Sequence, residues 1–189
     1  MERELYEVMD WAAVEEIVYS ESADPHAILG PHKTDKGILV QAFFPGRDRV
    51  LLQRGKTKMP MELADESGFF ACLIPGEKES LRYQFILPEA DGSETVAEDP
   101  YRFMPELPEV ELRKFKAGES TAAYTFLGAH EKKMGGVSGI RFAVFAPNAM
   151  RVSVVGDFNN WDGRVHELRR MGDSGIFALF VPGVQPGAI

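Results

Sequence analysis

One stretch of this sequence occurs twice, and that repetition limits the fold more than any other feature. Gly37-Ile38-Leu39-Val40-Gln41-Ala42-Phe43-Phe44-Pro45 is answered, 102 residues later, by Gly139-Ile140-Arg141-Phe142-Ala143-Val144-Phe145-Ala146-Pro147. Arg49-Val50 returns at the same spacing as Arg151-Val152. Ser67-Gly68-Phe69-Phe70-Ala71 and Pro75-Gly76 return 107 residues on as Ser174-Gly175-Ile176-Phe177-Ala178 and Pro182-Gly183. Upstream, Leu29-Gly30-Pro31-His32 matches Leu127-Gly128-Ala129-His130 at a spacing of 98. The order is kept while the spacing drifts by a few residues. Loop-length changes between two copies of one module do this, so one folding plan must serve both halves.

The repeated segments read as strands. Ile38–Phe44 and Ile140–Ala146 are short apolar runs rich in aromatic and β-branched residues, closed by proline. Val50–Gln53 and Arg151–Val155 follow within a few residues, and Phe69–Ile74 and Ile176–Val181 end at Pro-Gly turns. In Leu81–Leu87, Leu81, Tyr83, Phe85 and Leu87 alternate onto one face, and Asp91-Gly92 forms a hairpin turn before Thr95-Val96. Short strands at this spacing without helices between them predict an all-β chain of two tandem immunoglobulin-like antiparallel β-sandwiches. A short N-terminal helix precedes them, with Leu5, Val8, Met9 and Ala12 as its apolar stripe and Trp11, Val14 and Val18 beside it. The expected organisation is a helix over 1–22, a first sandwich over 23–105, a connector over 106–122 and a second sandwich over 123–189. The second copy reaches Ile189 at the counterpart of Arg82, before the equivalents of Leu81–Leu87 and its hairpin are complete. The second sandwich is therefore expected to be truncated and the natural chain to continue.

A net charge of −8 argues against nucleic acid and anionic membrane surfaces, both of which need concentrated Lys and Arg, and suits a neutral polymer. No apolar run reaches the ~18 residues of a membrane span. Glu2, Glu4, Glu7, Glu15 and Glu16 exclude a signal peptide at the N-terminus. The single cysteine, Cys72, sits in an apolar strand and reads as a buried thiol in a reducing cytoplasm. Asp24, His26 and His32 match no zinc spacing, and the second copy keeps only His130, so these histidines read as hydrogen-bonded structural residues with no metal. No phosphate loop or nucleophile motif is present, and no cofactor is expected.

Several motifs carry a family resemblance. Asp24-Pro25-His26-Ala27-Ile28-Leu29-Gly30-Pro31-His32 and Asp99-Pro100-Tyr101-Arg102-Phe103 resemble the opening and close of the first module of glycogen (1,4-alpha-glucan) branching enzymes. Tyr124-Thr125-Phe126-Leu127-Gly128-Ala129-His130 resembles the start of the second. Phe142 to Ala149, with Val152-Ser153-Val154-Val155-Gly156-Asp157-Phe158-Asn159-Asn160-Trp161-Asp162-Gly163-Arg164, resembles the glycogen-binding module, carbohydrate-binding module family 48. The resemblance implies the non-catalytic N-terminal region of a cytoplasmic glycosyltransferase of glycogen biosynthesis. Its partners would be α-glucan (glycogen or maltooligosaccharide) and a catalytic (β/α)8 barrel in the same natural chain. That barrel, of the glycoside hydrolase family 13 type, would carry the Asp and Glu of a retaining mechanism. No barrel motif lies in these residues, so no catalytic residue is assigned and the chain alone is expected to be inactive. A stand-alone glycogen-binding regulatory module, or the N-terminal part of a debranching enzyme or trehalohydrolase, are the alternatives.

Trp161 is the candidate sugar contact, because an aromatic face suits the apolar C–H face of a glucose ring. Asn159 and Asn160 are the candidate partners for hydroxyls. The same Trp could equally pin its turn or pack against a barrel, and both roles stand open on the sequence. In the first copy Arg54-Gly55-Lys56-Thr57-Lys58 occupies the corresponding place, so no such site is assigned there.

Overall fold

The computed structural model describes residues 3–22, 24–76 and 81–189; Met1, Glu2 and Ala23, which fall in the expected helix and at the start of the first module, lie outside them. The helical opening is two short helices, α1 (Arg3–Val8) and α2 (Trp11–Val18). Asp10 separates them by capping α2: its side chain accepts from the backbone N–H of Ala13 at 3.2 Å. The cap resets the helical phase, which corrects the expected stripe. Leu5 and Met9 are buried as read, but the inward face then passes to Ala13, Val14 and Ile17, while Ala12 is exposed. Glu7 pairs with Lys36 at 2.6 Å, which fastens α1 to the first unit.

Residues 1–22 and 26–102 form one compact unit. Its strands are β1 (Gly30–Lys33), β2 (Gly37–Phe43), β3 (Leu51–Arg54), β4 (Thr57–Pro60), β5 (Glu62–Asp65), β6 (Phe69–Pro75), β7 (Gln84–Pro88) and β8 (Glu94–Ala97). They make two four-stranded antiparallel sheets, ordered β1-β2-β6-β5 and β4-β3-β7-β8. The core lies between them. Ile38, Val40 and Ala42 of β2 and Phe70, Cys72 and Ile74 of β6 meet Leu52 of β3 and Phe85 and Leu87 of β7. Alternate residues of each strand enter this cluster, as the pleat requires, and the other face of β2 is buried as well. Leu81, Tyr83, Phe85 and Leu87 all belong to it, and Cys72 is buried within it.

Residues 23–25 and 103–189 form the second unit. The segment 106–122 carries α3 (Glu109–Lys116), whose Leu112 and Phe115 pack against Phe126, Ala143, Ile176 and Ala178. The strands are β9 (Gly128–Met134), β10 (Val137–Phe145), β11 (Arg169–Arg170) and β12 (Ile176–Pro182), in the order β9-β10-β12-β11. This repeats β1-β2-β6-β5 strand for strand. The register repeats too: Gly37 faces Pro75 in the first unit and Gly139 faces Pro182 in the second. Both glycines serve close approach. A Cβ at Gly37 would run into the Ile74 carbonyl, and one at Gly139 into the Val181 carbonyl.

The second sheet of the plan is the point of difference. The run Arg151–Val155, expected as a strand, forms only an isolated bridge between Ser153 and Glu167. Its counterpart β3 pairs with β4 on one side and β7 on the other. Among the described residues no strand flanks Arg151–Val155 in that way, so no ladder forms. One tethering hydrogen bond is kept: Met61 N–H donates to Val50 O at 3.0 Å, and Leu168 N–H to Val152 O at 2.8 Å.

Candidate functional site

The Phe-Asn-Asn-Trp segment is an excursion of the second unit whose two ends are drawn together. The Ser153–Glu167 bridge and a 3.0 Å bond from Val154 N–H to His166 O close its base. Arg151 lies 2.6 Å from the buried Glu167 carboxylate and supports the same base. Inside the loop Asp157–Asn159 forms a single 3-10 turn, and the Phe158 ring stacks on Phe142 of β10 at 6.5 Å.

Asn159 is the keystone. It is buried, and its Oδ1 accepts from Gly156 N–H at 2.9 Å. Its Nδ2 donates to Val154 O at 2.9 Å and to His166 Nδ1 at 3.0 Å. One amide thus joins the outgoing and returning arms of the loop. Because Nδ1 accepts, His166 is neutral with its proton on Nε2. Burial pushes its pKa down to about 4, which preserves that state at neutral pH. The Asn159 side-chain amide thus makes its hydrogen bonds within the loop.

Beyond Asn159 the chain turns left-handed at two successive non-glycine residues, Asn160 (φ 54°) and Trp161 (φ 59°). Asparagine tolerates this region, whereas a bulky aromatic there is strained. Three hydrogen bonds hold the conformation. Trp161 N–H donates to Gly156 O at 3.0 Å, Asp162 N–H to Asn159 O at 3.0 Å, and the indole Nε1–H to Asp157 Oδ1 at 2.9 Å. Asp162 is itself gripped by Arg164, whose guanidinium holds the carboxyl below its usual range. The indole remains 57% exposed. Its one polar atom is already satisfied, so the ring presents apolar surface in a fixed orientation. Asn160 is exposed beside it.

The corresponding place in the first unit is the tight β3–β4 hairpin, with Arg54 facing Thr57 across Gly55-Lys56. The Leu-Gly-x-His motifs have a shared structural role. His32 Nε2 lies 3.0 Å from Leu29 O, and His130 Nε2 lies 2.8 Å from Leu127 O. Among the described residues no three His, Cys, Asp or Glu side chains gather as a metal-ligand set. Asp99 is buried against the Tyr83 hydroxyl and accepts from Tyr101 N–H at 2.9 Å, and burial pushes its pKa up to about 6. The sequence contained no signal for the Asn159–His166 contact, since the two residues carry no recognisable pattern. The paired asparagines were the visible hint of a left-handed turn.

Comparison with known proteins matches residues 10–101 to the alpha-1,4-glucan branching enzyme GlgB, N-terminal domain. Residues 126–189 match Carbohydrate-binding module 48 (Isoamylase N-terminal domain). Among solved structures, the chain is similar to a type I pullulanase from Bacillus subtilis complexed with maltose, at 16% identity over 84% of this chain and 22% of that one, TM-score 0.28. It is also similar to a pullulanase from an Anoxybacillus species, at 14% identity over 80% of this chain and 22% of that one, TM-score 0.24. A chain from Salmonella typhimurium assigned as an alpha amylase is 23% identical over 38% of this chain and 12% of its own length, TM-score 0.32. This chain thus spans less than a quarter of the length of each of these proteins. The first family model covers the sandwich built on β1–β8 and the second covers most of the unit that carries Trp161, so the first half of this chain is similar to the N-terminal domain of the alpha-1,4-glucan branching enzyme and the second half to a carbohydrate-binding module 48.

Proposed function

We propose that this chain is the non-catalytic, α-glucan-holding front of a cytoplasmic glycogen branching enzyme, in which Trp161 is the platform for a glucosyl ring. The partner in the intact enzyme is a catalytic (β/α)8 barrel, which these modules position on its substrate. The two family-model matches support the assignment to glucan metabolism. The observation that carries the site is the presented indole: strained into place, tied at Nε1 and 57% exposed. An exposed apolar ring with little freedom left to lose suits a rigid sugar face. Asn160 stands next to it as the hydroxyl partner, while Asn159 holds the loop.

Titration of maltoheptaose into the chain tests the reading. Trp161→Ala is expected to weaken binding about 30-fold, the equivalent of roughly 2 kcal/mol for truncating an aromatic anchor. Unchanged affinity removes Trp161 as the platform. Incubation of the chain with amylose is expected to leave the iodine spectrum unaltered; a shift that scales with protein concentration would overturn the non-catalytic assignment.

A further inference from the structure

We infer that the second unit holds another glucosyl-binding site, in a cleft of about 330 Å³ where α3 passes the end of β10. The ligand class rests on the α-glucan reading above, but the site is independent of Trp161. Its floor is Phe145, the last residue of β10, with Pro147 and Gly175 around it. Phe145 is 48% exposed. The duplicated module supplies a control, because the same repeat position in the first unit is Phe43, which is 5% exposed. An aromatic that one copy buries is left open by the other. Phe115 of α3 meets the Phe145 ring edge-on at 5.0 Å and sets its orientation. Phe142 and Phe145 have opposite parity on β10, so the cleft lies on the face of the sheet away from Phe158 and its turn.

The rim selects the ligand class. Arg170 is held by a 2.9 Å bond from its Nη2 to Pro147 O and lies over the Phe177 ring at 5.4 Å. A guanidinium has five N–H donors, so this fixed fork has donors to spare. Across the cleft Asp173 accepts from Lys116 at 2.5 Å and supplies carboxylate oxygen. A sugar hydroxyl both donates and accepts, and so uses both kinds of group. A free anion would meet the Asp173 carboxylate at the rim. Apolar floor, donor and acceptor together fit a neutral pyranose ring, and the volume is at the small end of the range for ligand sites.

Backbone amide shifts followed through a maltotriose titration of the whole chain test this. The expected result is saturable movement at Lys116 and at Arg170 to Gly175, retained in Trp161→Ala. Phe145→Ala should weaken the response at Arg170 to Gly175 at least tenfold while loop 156–165 responds as before. If Phe145→Ala disturbs the fold, Arg170→Gln combined with Asp173→Asn removes the rim and leaves the floor. Movement confined to loop 156–165 overturns the second site and leaves the Trp161 proposal intact. Cleft shifts that vanish in Trp161→Ala overturn it too, as an echo of a single site. Silence in both regions removes the glucan reading and this inference together.

Discussion

At Asn159 three hydrogen bonds converge on one buried amide, and the exposed tryptophan two residues away depends on them. Asn159→Ala leaves Gly156 N–H and Val154 O without partners. We expect a loss of about 2–3 kcal/mol in the second unit and a parallel loss of maltoheptaose affinity. Denaturant unfolding in a Trp11→Phe background reads the second unit alone, since Trp161 is then the one tryptophan left. A variant as stable as the parent would refute the keystone role. His166 gives the turn a pH dependence. Its pKa falls from 6.5 to about 4 on folding, so its contribution is complete above pH 6.5 and is lost as pH falls through 4. Asp99 acts oppositely in the first unit. Its pKa rises from 3.8 to about 6, so its contribution is present below 3.8 and is lost as pH climbs through 6. Between pH 4 and 6 the two residues are expected to pull their units in opposite directions. His166→Gln should flatten the slope read by Trp161, and Asp99→Asn the slope read by Trp11; slopes unchanged by these variants would count against both assignments. Trp161 could be picked out in the sequence because an aromatic among turn formers is conspicuous. Its fixed orientation could not, because that depends on Asp157, Gly156 and a histidine five positions on.

At the scale of elements, the long strands β2, β6, β10 and β12 were legible because their apolar runs and Pro or Pro-Gly endings are local signals. The edge strands were not. Gly128–Met134 contains three charged residues and exposes most of its length, so neither apolar run nor alternation marked it as β9. Its hairpin to β10 turns on Gly135-Gly136 with φ of 55° and 88°, the primed-turn geometry that Gly-Gly favours and the one local clue to the strand. Arg151–Val155 misled for the converse reason, since its β-branched residues signal a strand but cannot supply a neighbour. The glycines that open β2 and β10 make a paired prediction. Gly37→Ala and Gly139→Ala each force a Cβ into a facing carbonyl, and each is expected to cost several kcal/mol, about 2–4, in its own unit only. Unfolding followed at Trp11 and at Trp161 separates the two. A Gly139→Ala protein whose Trp161 transition is unmoved would show that the ladder can relax around the added carbon.

For the molecule as a whole, charge and ligand are independent. With a net charge of −8 and the neutral glucan proposed above as ligand, the chain should show a maltoheptaose Kd that changes less than about twofold between low and high salt. A steep salt dependence would point to an ionic ligand. The shared strand order of the two units carries a hazard as well. Two ladders of one chain with the same register invite crossed partners during folding, β10 seeking β6 while β2 seeks β12. Position 141 tells the copies apart. The first copy has Leu39 there, whereas the second has a buried Arg141 whose guanidinium needs the carbonyls of Glu106 at 3.2 Å and Phe126 at 2.9 Å. In a swapped arrangement that cation would be stranded in apolar surroundings without them. Arg141→Leu makes the copies alike at this position, and its refolding should yield more aggregate at equal protein concentration; a yield matching the parent would mean that sorting resides elsewhere. On this expectation a single arginine is the proofreader of a duplicated architecture.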